Sequence, residues 1–134
     1  MENLILKKTP FPSPNPGVRL YQITYLSADG LKVKGMLAEP KVGKNLEGLL
    51  YLRGGIKNVG MVRPARICQF AREGFIVFAP FYRGNQGGEG YEDFGLKDRN
   101  DAYSGFDLLI RDPRIENNLV HIFGFSRGGL MALW

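Results

Sequence analysis

Ser126 lies in Gly124-Phe125-Ser126-Arg127-Gly128-Gly129, a G-x-S-x-G pattern. In this pattern the serine sits on a sharp strand-to-helix turn, a nucleophile elbow, with its Oγ presented to a substrate. The flanks suit that reading. Residues 118–123 form a short apolar run with a β-branched centre, as a buried strand should. Residues 130–134 are compatible with a helix. The glycines lack a Cβ where a strained turn crowds neighbouring segments. A serine hydroxyl becomes an effective nucleophile only when an adjacent base takes its proton. After Ser126 come Arg, Gly, Gly, Leu, Met, Ala, Leu and Trp, with no acid and no histidine. The one histidine, His121, is five residues upstream on the expected strand, about 16 Å along it. It is expected to be a buried strand histidine rather than the base.

Other reactive side chains carry weaker signals. Cys68 can be read as a thiol nucleophile, but it falls in a helical apolar pattern, which favours a place in the core. Residues 81–95 hold five glycines and no apolar period, so a long loop is expected, of the kind that is usually functional. Tyr82 and Arg83 open that loop directly after a strand, where substrate sites are built. The alternative is that they brace the loop with an ion pair. Asp98 and Asp101 can be a carboxylate pair, or can complement the positive end of a helix. There is no dinucleotide fingerprint, no phosphate-binding loop and no paired Cys/His metal spacing. No cofactor and no metal are expected.

The elements that must position these residues follow from periodicity. Residues 9–17 hold four prolines and can form neither a helix nor a central strand. Residues 1–18 are read as an extended proline-rich lead-in, and 19–134 as the rest of the domain. Residues 19–27 place Tyr21, Ile23 and Tyr25 on one face, and residues 31–38 place Leu31, Val33, Gly35 and Leu37 on one face. Asp29-Gly30 between them signals a hairpin. Residues 48–52 and 75–79 are buried strands. Between them Pro64 opens a helix and Gly74 stops it. A second helix is expected from about Lys97 to Ile110, with Ala102, Phe106, Leu109 and Ile110 on one face. An antiparallel hairpin is thus followed by strand–helix–strand–helix–strand–elbow–helix. That alternation predicts a twisted, mostly parallel sheet of about five strands with right-handed crossovers.

Four segments in this order carry a resemblance: Arg53-Gly54-Gly55 after one strand, Tyr82-Arg83-Gly84 with Gly87, Gly88 and Gly90 after the next, Asp98 and Asp101 on a helix, and the serine elbow. Together they resemble the first half of the catalytic domain of the prolyl oligopeptidase family of α/β-hydrolases. The resemblance implies an α/β-hydrolase-type sheet, truncated here after the elbow, and a serine hydrolase acting on peptides or small esters. Ser126 would be the nucleophile. The backbone N–H of Arg127 would hold the oxyanion, with a second donor from the Arg53, Gly54, Gly55 loop. The family has His or Tyr where this chain has Arg53, so Arg53 either leaves that role to its backbone or binds a substrate carboxylate. In such hydrolases the acid and the histidine of the triad follow the serine along the chain, and neither is present in these 134 residues.

Composition sets the outer bounds. The chain has 134 residues, 44% of them hydrophobic, enough for one domain. No stretch spans a bilayer and no secretory signal pattern opens the chain, so a cytoplasmic place is expected. The single cysteine fits that. The net charge of +5 divides unevenly, about +7 over residues 1–67 and −2 over 68–134. No nucleic-acid module accompanies it, and neither nucleic acid nor membrane is an expected partner. Two other functional classes stay open: a non-catalytic interaction protein that keeps the elbow as scaffold, and an inactive gene remnant. Residues 119–123 are expected to form an exposed edge strand, through which the chain self-associates or takes a partner.

Overall fold

The computed structural model describes residues 5–27, 30–41, 46–52, 62–81, 88, 99–112 and 114–124. They form six strands and two helices in the order β1 (Ile5–Phe11), β2 (Val18–Leu26), β3 (Lys32–Pro40), β4 (Leu46–Leu52), α1 (Pro64–Arg72), β5 (Phe75–Pro80), α2 (Arg99–Ile110) and β6 (Ile115–Gly124). The strands make one mixed sheet in the order β1-β2-β3-β5-β4-β6. From β1 to β5 every pairing is antiparallel. From β5 through β4 to β6 every pairing is parallel.

The parallel part is the one the alternating pattern predicts. The antiparallel part is larger than one hairpin because β1 joins it, pairing Phe11 with Leu20 and Ile5 with Tyr25. Its Pro10 lacks a donor, and a proline is tolerated on an outermost strand that has a neighbour on one side only. The β2–β3 hairpin keeps unbroken register from Val18↔Pro40 to Leu26↔Lys32. Ser27 N–H donates to the Leu31 carbonyl at its end, and Gly30 takes φ 91°. Helix α1 starts on Pro64 as expected. It ends where Glu73 N–H and Gly74 N–H return to the Phe70 and Ala71 carbonyls, with Gly74 at φ 103°.

Strand alternation sends residues to two cores, one under each helix. Ile23, Tyr25, Val33, Leu37, Leu50, Ile76 and Phe78 face α2 and its Ala102, Leu108 and Leu109. Leu20, Met36, Ala38, Leu49, Val77 and Ala79 face α1 and its Ile67, Cys68 and Ala71. The Phe78 ring packs against two glycines, Gly35 and Gly105. A Cβ on Gly35 would lie 2.7 Å from its ring and 2.9 Å from the Ala79 carbonyl oxygen, and a Cβ on Gly105 would lie 3.0 Å from its ring. Tyr25 meets Phe78 edge-on at 5.1 Å.

The end of the sheet where β4 and β6 begin is tied by one arginine. Arg114 Nη2 donates to Glu39 Oε2 at 2.7 Å and to Asp112 Oδ2 at 2.8 Å, while Leu46 N–H donates to the Arg114 carbonyl. Glu39 is buried, and the guanidinium supplies its counter-charge. Burial pushes the Asp112 carboxyl up, but the hydrogen bonds and charge of Arg114 outweigh it, and the group titrates below the usual aspartate value.

Two outcomes follow. Gly35→Ala should lower stability by about 1–3 kcal/mol, because one of the crowding atoms is backbone and cannot rotate away; chemical denaturation checks it. Asp112 has a depressed folded pKa, so its stabilising contribution is complete above its unfolded value, about 3.9, and is lost as pH falls through the folded value. The melting temperature of the wild type should therefore fall on acidification through that window. Asp112→Asn should show a shallower fall.

Candidate active site

The parallel register fixes where the candidate segments leave the sheet. Leu52, the last residue of β4, pairs with Gly124, the last residue of β6. On the other side of β4, Leu50 pairs with Phe78, so β5 ends level with them at Pro80. Adjacent strands are about 4.8 Å apart. The chain thus departs toward Arg53, toward Tyr82 and toward Ser126 from three neighbouring strands at one end of the sheet. Loops beyond the carboxyl ends of parallel strands are where ligands bind in sheets of this kind. Arg53, Gly54, Gly55, Tyr82, Arg83, Asp98, Ser126 and Arg127 themselves lie outside the described residues.

At the same end sits a buried polar cluster that sequence reasoning missed. Strand β2 runs antiparallel to β3, and β3 to β5, so Ile23 is level with Pro80 and Ser27, four residues further on, lies just beyond the end of β5. Ser27 Oγ donates to Asp101 Oδ1 at 2.8 Å, and Tyr25 Oη donates to the Asp101 carbonyl oxygen at 2.8 Å. Asp101 is in the first turn of α2 and fully buried. Proximity to the helix's positive end suits it, as expected, but its side chain points into the protein and clamps α2 to β2. The clamp anchors the far end of the segment that begins at Tyr82. The only sequence signal for it is an acidic residue on the apolar side of a helix, next to Ala102. Its partner lies 74 residues away.

His121 departs from its expected setting. It is exposed, not buried: its Nε2 lies 2.6 Å from Glu47 Oε1, and its ring stands edge-on to Phe75 at 5.8 Å. The physical reason is cover. Helix α1 packs over β2, β3 and β5, which leaves that face of β6 open at His121. Nearer the elbow, Phe123 is covered, stacking on Tyr51 at 5.4 Å and meeting Phe70 of α1 at 5.8 Å. His121 pairs in register with Leu49, three positions before the strand end, and its partner Glu47 lies further from the elbow still. It is not placed as a base for Ser126.

Cys68 is a core residue, 2% exposed. Burial raises its thiol pKa against a weaker opposing contact with Ser13 Oγ, 3.9 Å away. It is therefore a poor thiolate. Among the described residues no group of three or more His, Cys, Asp or Glu side chains is placed to hold a metal ion, and no helix is long and apolar enough to cross a membrane.

Ser27→Ala should destabilise the protein by about 1–3 kcal/mol, since it removes a donor from a buried carboxylate. Amide hydrogen exchange should speed up first in the opening turn of α2.

No protein-family model matches the chain. It is 62% identical over 130 residues to a Bacillus subtilis (strain 168) protein named uncharacterized peptidase YtmA. That alignment covers 97% of this chain and 50% of the relative, so the chain spans about half the length of the curated relative it matches. Among solved structures it is similar to an acetyl xylan esterase from Paenibacillus sp. R4, with a TM-score of 0.72 and 20% identity over 95% of this chain and 48% of that one. Acetyl xylan esterase 1 from Thermoanaerobacterium sp. JW/SL YS485 gives 0.72 and 17%, over 99% and 48%. Esterase Pf2001 from Pyrococcus furiosus gives 0.69 and 21%, over 95% and 51%. At these identities the structural likenesses bear on the fold. With two helices flanking a mixed sheet whose parallel strands end together, and with a homologue that carries a peptidase name, the chain has a fold of the α/β-hydrolase superfamily.

Proposed function

We propose that the chain carries the nucleophile-bearing part of a serine hydrolase of the prolyl oligopeptidase type, acting on peptides or small esters. The observation that carries this reading is the Leu52↔Gly124 register. It starts the Arg53 segment and the Ser126 segment from adjacent strands at the same end. A nucleophile and its oxyanion donors must converge within about 3 Å of one reacting carbonyl. The peptidase name of the 62%-identical relative and the esterase names of the structural neighbours support the same class.

In this reading Ser126 Oγ attacks the substrate carbonyl carbon as its proton passes to a base. The backbone N–H of Arg127 and a donor from Arg53, Gly54 or Gly55 hold the oxyanion. Collapse of that intermediate expels the amine or alcohol, which takes the proton back, and water then releases the acyl group. The Arg53 guanidinium suits a substrate carboxylate, and Tyr82 and Arg83, which follow β5 in the sequence, are the proposed substrate-contacting side chains. The site uses no cofactor and no metal, and we place the protein in the cytoplasm.

The base is not supplied by His121, which is engaged with Glu47 on the exposed sheet face. That observation also favours a second reading, a non-catalytic interaction protein in which the elbow is scaffold. Turnover separates the two. The 134 residues alone should hydrolyse p-nitrophenyl esters no faster than their Ser126→Ala variant, since loss of the base leaves only the oxyanion site and binding. Joined to the part of the Bacillus relative that this chain does not span, they should gain turnover that Ser126→Ala abolishes. A folded, inactive joined protein would leave the scaffold reading standing.

A further inference from the structure

We infer that Ser27 and Asp101 are positioning residues for substrate binding: they fasten the far end of residues 82–98 to the β2–β3 hairpin, whose Lys34 already holds the near end. The inference rests on the hydrolase reading, in which Tyr82 and Arg83 contact substrate.

The near end is fixed by a continuation of the β3–β5 ladder. Gly35 pairs with Pro80. One residue on, the Phe81 N–H donates to the Lys34 carbonyl at 2.8 Å, and Phe81 is buried. The chain therefore leaves toward Tyr82 from a fixed point on β3. The far end is fixed on the neighbouring strand. Tyr25 Oη donates to the Asp101 carbonyl and Ser27 Oγ to the Asp101 carboxylate, each at 2.8 Å. Tyr25 pairs with Val33, the residue beside Lys34. Tyr25 and Lys34, which hold opposite ends of the stretch, thus lie one position apart in the register of a single hairpin.

That hairpin is closed independently of the clamp. Ser27 N–H donates to the Leu31 carbonyl at 2.8 Å, and Gly30 N–H donates to the Ser27 carbonyl at 2.9 Å. Ser27 closes the turn with its backbone and holds α2 with its side chain. The two bonds to Asp101 act differently. Tyr25 holds the backbone and sets how deep the first turn of α2 sits. Ser27 holds the side chain and limits rotation of that turn about the helix axis. Tyr25, Ser27 and Asp101 are each 3% exposed or less. A buried carboxylate that lost its donor would be costly, so the arrangement has little freedom to drift.

The consequence is for binding rather than bond-making. Fixing both ends during folding lowers the entropic cost of ordering the stretch against a substrate. The stretch contains neither the nucleophile nor the oxyanion donors of the hydrolase reading. A small acyl group engages only Ser126 and those donors, whereas a longer one extends to Tyr82 and Arg83. Loosening the far end should therefore weaken the grip on a long substrate and leave a short one unaffected.

The test compares two esters on the chain joined to the part of the Bacillus relative that it does not span. The probes are p-nitrophenyl acetate and the p-nitrophenyl ester of N-acetyl-trialanine. The wild type should show the lower KM for the longer ester. Ser27→Ala should raise that KM by about tenfold with kcat within about twofold, and should leave KM for the acetate unchanged. Ser27→Thr, which restores the hydroxyl, should restore the ratio. Ile67→Val, in the core under the other helix, should leave both KM values unchanged and so separates positioning from general loosening. The rate of Ser126 labelling by a fluorophosphonate should be the same in all four proteins. Labelling at Ser126 with an unchanged KM ratio in Ser27→Ala would overturn the inference alone. So would a wild type that gains nothing from the longer acyl group, or an Ile67→Val protein that shifts the ratio equally. A wild type that is not labelled at Ser126 would overturn the hydrolase reading, and this inference with it. Should Ser27→Ala fail to fold, Tyr25→Phe, which removes the other bond to Asp101, decides by the same ratio.

Discussion

The ring of Phe78 fills the space that Gly35 and Gly105 leave open, and the placing of the site depends on that contact. Gly35 lets β3 lie against β5 with an aromatic ring between it and α2, and Gly105 lets α2 come down onto the same ring. Burial of a phenylalanine contributes about 1.5–3 kcal/mol, and the edge-on Tyr25 adds about 0.5–1.5 kcal/mol. The geometric consequence is larger than the energy. With β5 seated on β3 and β4 on β5, the ends of β5, β4 and β6 come level, and the three candidate segments start from one place.

The two ends of the sheet are built differently. Where β4 and β6 begin, the Arg114 guanidinium bridges the Glu39 and Asp112 carboxylates, and a backbone hydrogen bond ties Leu46 to Arg114. Where the parallel strands finish, the clamp is a buried aspartate held by a serine hydroxyl, with a tyrosine hydroxyl on its backbone. The first arrangement fixes strand starts. The second fixes the helix that receives the segment beginning at Tyr82.

Much of the fold was legible because strand alternation and helix punctuation are local. Tyr21, Ile23 and Tyr25 do share a face, and Gly35 does lie on the face with Val33 and Leu37. Pro64 and Gly74 do bound α1. What local pattern could not supply was cover and distance. Pro10 rules out a central strand but not an edge one, so β1 escaped notice. The pattern around His121 defines two faces of β6 and says nothing of how far α1 reaches across them. Asp101 reads as a helix-end acid, and its partner Ser27 is brought to it only by the folded sheet. Of the site, the residue types were legible, and the structure adds the common origin of their three segments.

The central claim is that these segments converge on Ser126 as a nucleophile. The most direct measurement is covalent labelling by a fluorophosphonate, with peptide mass mapping, of the chain joined to the part of the Bacillus relative that it does not span. The account predicts a single modified residue, Ser126, and no labelling in Ser126→Ala. A folded joined protein that resists the reagent, or that is labelled at another residue, would contradict it.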